Sequence, residues 1–442
     1  MKRSISQDDV ERYVAEGRRE IQVRADTVVT AAAEEAAARL GLRIVLADGG
    51  VAEGVERRGY DWDRGLERWR AEFPFLKAGK IHVANCSQSP ISNRVRAAVN
   101  RYMDSLQERG MDWEGWLEEV HAARAQFAKI INASVEEIAL STSVSEAVAS
   151  IASALDFRSG RDKVVTTEIE FPTVGHVWLG FQKYGARVEF VPKRDGMIRL
   201  EDYDRYLDER TLITSVAQVY YETGFRQDLA VIAEKAHARG SLLLVDAYQG
   251  LGTTPVDVKA MDIDFLVSGN LKYLLGVPGI AFTYVRRELI PRLRPAVTGW
   301  LGRDNPFAFE VRRLDWAPDA RRLDTGTPPV PAAFAAKAGM EIINEIGTDR
   351  IARHCDMLSQ YAIELADERG LLLASPRDIR EKGAITALFT GDRDAHEVEV
   401  ELMRRGIVAS ARGRVIRIAH HFFTAPEDLE RVFDALAEIL TG

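Results

Sequence analysis

The sequence predicts an α/β protein, with a mostly parallel sheet in a large domain and a smaller α+β domain at the C-terminus. Three observations carry this. Short apolar runs recur between helix-patterned segments, as expected of strands covered by helices on both faces. Two of those runs lead into reactive groups: one ends on Asp246, and Lys272 follows the next, 26 positions on (272 − 246). After about residue 310 the pattern changes to long helices and a few alternating segments.

The elements follow in order. Residues 8–18 read as a short helix, 20–23 as a strand, 30–40 as an alanine-rich helix and 42–46 as a strand. Residues 49–59 are glycine-rich and charged, a linker. Residues 1–58 therefore form an N-terminal module, a surface appendage or dimer arm. The large domain spans 59–310 and the small one 311–442. Val95, Val99, Tyr102, Met103 and Leu106 fall at three- and four-residue spacing, an amphipathic helix, and 113–131 gives another. Strands are expected at 163–167, 186–191, 212–219, 242–246 and 263–267, with a helix at 229–239. In the last part, helices are expected at 332–346, 351–370 and 426–440, and strands at 384–389 and 415–419. No internal repeat is evident.

Bulk properties exclude several classes. The 442 residues are 46% hydrophobic and 29% charged, ordinary for a globular protein. A net charge of −8 argues against nucleic acid or an anionic membrane as the main partner. Two cysteines cannot build a disulfide scaffold and fit a reducing compartment. No apolar run approaches the roughly 20 residues that cross a bilayer. The first nine residues lack the apolar core of a secretory signal. A cytoplasmic location is expected. No ligand-spaced Cys/His cluster supports a metal, and no G-x-G-x-x-G turn supports a nicotinamide dehydrogenase.

The chemistry starts from Lys272 and Asp246. A lysine amine that traps an aldehyde, facing an acid that pairs with a pyridinium nitrogen, is the layout used with pyridoxal phosphate (PLP). Ser143, Val144 and Ser145 open a predicted helix, where free backbone N–H groups and the helix dipole favour an anion such as phosphate. Ser143 and Glu146 have capping-box spacing. Ser268 offers another hydroxyl four residues before the lysine. Phe171, past the 163–167 strand, can stack on a planar ring. Gln249 can reach a ring substituent. Arg417 interrupts the apolar strand 415–419, where a buried guanidinium needs an anion: a substrate carboxylate, or an Asp or Glu of the chain.

These motifs (residues 143–147, 170–173, 245–250, 268–272 and 324–328) resemble the class V aminotransferase superfamily of fold-type I PLP-dependent enzymes. That group includes cysteine desulfurases, kynureninases and isopenicillin N epimerase. The resemblance runs from about Trp69 to the C-terminus. It implies a seven-stranded central sheet, PLP, an amino acid substrate and a homodimer with a shared active site. It implies that Lys272 forms the Schiff base, Asp246 pairs with the ring nitrogen and Gln249 contacts the phenolic oxygen. Ser143, Val144, Ser145 and Ser268 hold the phosphate, Phe171 stacks on the ring, and Thr327 reaches the phosphate of the neighbouring subunit. Arg417 binds the α-carboxylate, and the 85–90 segment, with Asn85 and Ser87, lines the substrate pocket.

The sequence also departs from the desulfurases. Residues 406–415 contain no cysteine where those enzymes carry their nucleophile, and Leu271 replaces the histidine before the lysine. The expected function is a PLP-dependent aminotransferase or C–S/β-lyase acting at the Cα amine, desulfurase-like but without the catalytic cysteine. An epimerase or kynureninase-like hydrolase is the alternative, and a non-catalytic scaffold with the same fold is the alternative of another class.

Overall fold

The computed structural model describes residues 4–5, 7–23, 28–29, 31–46 and 63–441, so the linker expected at 49–59 lies outside it. The chain divides into two compact units, Met1–Asp61 and Trp62–Gly442. Among the described residues no helix is long and apolar enough to cross a membrane.

The first unit is a strand–helix–strand pattern used twice. Helix Gln7–Ala15 lies between strands Ser4–Ile5 and Glu20–Val23, and helix Ala31–Leu40 between Val28–Val29 and Arg43–Leu46. Equivalent strands pair in parallel, Ser4 opposite Val28 and Glu20 opposite Arg43. The reading that no repeat exists is therefore corrected. Among the described residues the core of this unit holds Ile5, Val10 and Ile21 from the first pattern and Ala33, Ala36, Ala37 and Leu42 from the second, so large residues in one stand against alanines in the other and the repeat does not show in the sequence.

In the second unit the central sheet has seven strands: β1 Ile138–Ser141, β2 Lys163–Thr167, β3 Arg187–Val191, β4 Thr211–Ala217, β5 Leu242–Asp246, β6 Phe265–Gly269 and β7 Ala281–Val285. Their order is β1-β7-β6-β5-β4-β2-β3, and only β7 runs antiparallel to its neighbours. Helices α1 Asn93–Arg109, α2 Trp113–Ile130, α3 Val144–Ser153, α4 Pro172–Gly180 and α5 Leu229–Ala238 cover it, joined by α6 Val330–Ile346. Both faces are dry. Leu243 and Val245 pack on one face with Phe127 and Ile342, and Leu244 on the other with Val148 and Trp178. That two-sided burial is why these strands read as unbroken apolar runs. On α1, Met103 faces out at 56% exposure, against the expectation that it joins the apolar stripe. The strand expected at 263–267 pairs at 265–269.

A second sheet is antiparallel, with β8 Ile385–Phe389, β9 Ser410–Arg412 and β10 Val415–Ala419 in the order β8-β10-β9. It packs under α7 Thr348–Glu368, α8 Ala395–Arg404 and α9 Pro426–Thr441. Strand Ile81–His82 pairs in parallel with Ile407–Val408, and Ile81 and Val83 enter this second core. The buried ion pair Arg124–Asp324, with Asp324 also accepting the Leu140 N–H at 2.8 Å, fixes the turn that carries Thr327 to β1 and α2.

Candidate active site

The carboxyl ends of β1, β2, β4, β5 and β6 fall on one edge of the sheet, where open α/β folds bind ligands. A cavity of about 270 Å³ opens there, lined by Ser143, Val144, Ser145, Phe171, Asp246, Gln249, Lys272, Ser87, Tyr221 and Tyr248 among others. A larger cleft, about 550 Å³, lies between residues 197–230 and 378–381 and holds none of the expected groups.

Lys272 follows β6 in a loop pinned along its backbone. Ser89 donates its N–H to Leu271 O at 3.0 Å, and its hydroxyl lies 2.7 Å from Lys272 O. Gly276 N–H closes the loop on Asn270 O at 2.9 Å. Asn270 lies wholly buried over Gly276, where any Cβ would meet its Oδ1 at 1.4 Å. The Lys272 amine sits 4.2 Å from the Tyr248 ring centre and 5.6 Å from that of Phe171. Burial pulls its pKa down to about 8, against the pull of the Asp246 charge. From 10.5, this makes the free amine about 300-fold more abundant at neutral pH.

A small aldehyde trapped by borohydride should therefore modify Lys272 with a midpoint near pH 8, and Asp246→Asn should lower that midpoint. Peptide mass mapping across pH checks this; a midpoint near 10.5 would show a fully solvated amine.

Asp246 ends β5, and burial raises its carboxyl, opposed by the Tyr248 N–H at 2.9 Å and the Lys272 charge. Gln249 donates from its amide to Cys86 O at 3.0 Å, leaving its oxygen buried without a partner. The Cys86 carbonyl fixes the amide orientation, since the flipped form would set two acceptor oxygens against each other, and Nε2 carries a second N–H. Ser143 caps α3 by accepting the Glu146 N–H at 3.2 Å. The reciprocal half of the expected capping box is absent. Glu146 instead accepts from Thr142 N–H at 2.8 Å and Thr325 hydroxyl at 2.8 Å.

Arg417 is 1% exposed. Its guanidinium donates to Tyr221 O at 2.8 Å, Ser410 Oγ at 2.6 Å, Ser87 Oγ at 3.0 Å and Ser410 O at 3.3 Å. All four partners are neutral. The internal ion pair weighed from sequence does not form among the described residues, and Arg417 sits behind cavity residues Ser87 and Tyr221 as a buried cation lacking an anion.

Three expected residues lie elsewhere. Ser268 is 1% exposed and donates to Gly269 O at 2.8 Å, so it does not line the cavity. Asn85 is fully buried. It donates to Ala419 O at 2.7 Å and its oxygen lies 2.8 Å from the Ser89 hydroxyl, behind the pocket wall. Thr327 lines a separate small cleft with Ser141, Thr142 and Thr325. Cys86 and Cys355 are buried, and burial raises the Cys355 thiol strongly.

The sequence reading assigned no role to Tyr248 or Glu170. Tyr248 covers the lysine amine, and Gly269 permits it, since a Cβ there would meet the ring at 2.0 Å. Glu170 is buried, and burial together with the Asp246 charge raises its carboxyl well above the usual carboxylate range, opposed by the Phe171 N–H. The signal for Glu170 was present: an acid between apolar Ile169 and Phe171 just past a buried strand.

The model of the family described as Aminotransferase class-V matches residues 87–427. The chain belongs to that family. This class V enzyme is 38% identical over 371 residues to an uncharacterized aminotransferase, YcbU, of Bacillus subtilis (strain 168), covering 84% of this chain and 97% of that one. It is 28% identical over 309 residues to a probable cysteine desulfurase of Streptomyces coelicolor, covering 68% and 71%. Among solved structures it is similar to the apo cysteine desulfurase of Thermococcus onnurineus NA1, with a TM-score of 0.77 and 22% identity over 87% of this chain and 99% of that one. It is also similar to the cystine C–S lyase C-DES in complex with its product cysteine persulfide, at 0.76 and 17%, covering 83% and 99%. These likenesses establish the fold-type I architecture.

Proposed function

We propose that this enzyme uses PLP to act at the Cα amine of an amino acid, as an aminotransferase or C–S/β-lyase without a catalytic cysteine. The observation that carries the reading is the Lys272 amine, without a hydrogen-bond partner among the described residues, in a cavity that also holds Asp246 and the start of α3.

The donor set fits the cofactor. A ten-residue helix opens on the cavity, a buried acid faces it, and the Gln249 amide, with one N–H on Cys86 O, has a second N–H to offer. When bound, PLP supplies an aldehyde that captures an amine and a ring that takes up electrons from the α-carbon. The N–H groups of Val144 and Ser145, with the Ser143 and Ser145 hydroxyls, hold the phosphate. Asp246 would pair with the ring nitrogen and favour its protonated form, beside Glu170, whose carboxyl burial raises. Phe171 and Tyr248 bound the ring. Gln249 meets the phenolic oxygen. The Lys272 amine, once free, moves the α-proton as a general base tuned near working pH. Arg417 binds the α-carboxylate, with Ser87 and Ser410 orienting the guanidinium, and Asn85 positions Ser89 beneath the lysine.

Thr327, away from its own cavity, serves the site of a second copy, which makes the enzyme a homodimer. The same reading keeps it in the cytoplasm and divides it into an N-terminal module (1–58), a large part (59–310) and a small part (311–442). Epimerisation or kynureninase-like hydrolysis would share the first proton transfer. The absence of a cysteine from 406–415, which form two short strands and a hairpin, sets the persulfide route aside.

Cofactor-loaded protein mixed with a panel of amino acids should change its visible spectrum and yield an α-keto acid or an elimination product. Racemised substrate alone would favour the epimerase reading. Failure of every amino acid to perturb the spectrum would overturn the proposal.

A further inference from the structure

Arg417 accounts for one carboxylate, and a second arginine lies on the same face of the neighbouring strand. Arg412 ends β9, two residues beyond Ser410. Residues two apart on a strand share a face, and Ser410 marks which face this is. Its hydroxyl lies 2.7 Å from Ser87 Oγ and accepts from Arg417 at 2.6 Å, on the cavity side. Arg412 therefore projects on the side that carries the carboxylate anchor. Its charge acts on two residues of the cavity wall, the Tyr221 hydroxyl and the Lys272 amine.

Arg412 is exposed and forms no ion pair among the described residues, whereas Arg404 and Arg405 at the end of the preceding helix are both paired with Glu401. The adjacent segment holds one acid, Glu222, whose Oε1 lies 3.7 Å from where a Gly413 Cβ would be. Glu222 already accepts the Tyr220 hydroxyl, which in turn lies 3.3 Å from Lys193 Nζ. Glu222 is thus engaged by Tyr220, and Lys193 is accompanied by Glu168, which accepts its backbone N–H at 3.0 Å, so neither acid pairs with Arg412.

We propose that Arg412 receives an acid at the far end of the substrate side chain, so that the preferred substrate is an amino acid with an anionic side chain. This rests on the reading of the cavity as an amino acid site. Arg417 takes the α-carboxylate and Arg412 the distal acid; the amide of the same shape lacks the charge and leaves the guanidinium to water.

The test compares matched pairs, aspartate with asparagine and glutamate with glutamine, on the cofactor-loaded full-length enzyme. Saturation of the spectral change and kcat/KM are both read. One acid should exceed its amide by at least about tenfold, the size of one charge-assisted hydrogen bond. In Arg412→Gln that ratio should fall toward one, and Arg412→Lys should retain part of it. Equal use of acid and amide by the wild type, or an unchanged ratio in Arg412→Gln, overturns the inference while leaving the amino acid reading intact. A spectrum that no amino acid perturbs overturns both.

Discussion

Lys272→Ala should leave the protein folded and colourless. Incubated with PLP and borohydride, the wild type should take up one label per chain on the 268–276 peptide and the variant none at any lysine, and turnover should fall by about 10²- to 10⁴-fold, the range attached to a positioned general base. The loop survives because its pins are backbone groups, Lys272 O and Leu271 O held from Ser89 and Gly276 N–H held by Asn270 O, and alanine keeps all of them. The side chain itself adds little stability, since burial already disfavours its charged form. Lys272→Arg should fail as completely, because a guanidinium stays protonated and cannot serve as nucleophile or base. Circular dichroism and thermal unfolding check the fold, and peptide mapping checks the trapping. A variant that still turned over amino acids at a tenth of the normal rate would remove Lys272 from the mechanism.

Arg417→Met should separate stability from function. A buried guanidinium lacking an anion is costly, and its removal offsets the loss of the bonds it makes to Tyr221 O, Ser410 O and the two serine hydroxyls, about 1 kcal/mol each. The thermal midpoint should therefore change little. The substrate loses a charge-assisted pair worth about 2–4 kcal/mol, which is roughly 30- to 1000-fold. KM should carry most of that loss and kcat less, because the lysine and Asp246 remain in place. A variant that melts early with normal KM would make Arg417 a structural residue.

What the sequence shows and what it hides follow from the same packing. Lys272, Asp246 and Ser143 were legible because each stands where a buried strand ends, and strand ends are marked by the return of polar residues. Arg417 was legible as a charge inside an apolar strand, but its neutral partners were not. Ser87 and Tyr221 lie about 330 and 196 positions away along the chain. Strand β7 was not singled out although Ala281–Val285 is as fully buried as β2 and β6: its short run follows the Gly-Val-Pro-Gly turn at 276–279, which reads as loop. Ser268 looked like a cavity hydroxyl by position, yet it turns to its own neighbour's carbonyl, a choice of rotamer that spacing cannot show. The module at the N-terminus disclosed its elements but not that its two halves are copies.

The short stretch from Asn85 to Ser89 has a mechanical consequence. One end is tied to Ala419 by the Asn85 amide, the middle to Arg417 through Ser87, and the other end to the carbonyl of Lys272 through Ser89. Five consecutive residues thus join the strand that carries Arg417 to the loop that carries Lys272, so the spacing between these two side chains is set by one short piece of backbone.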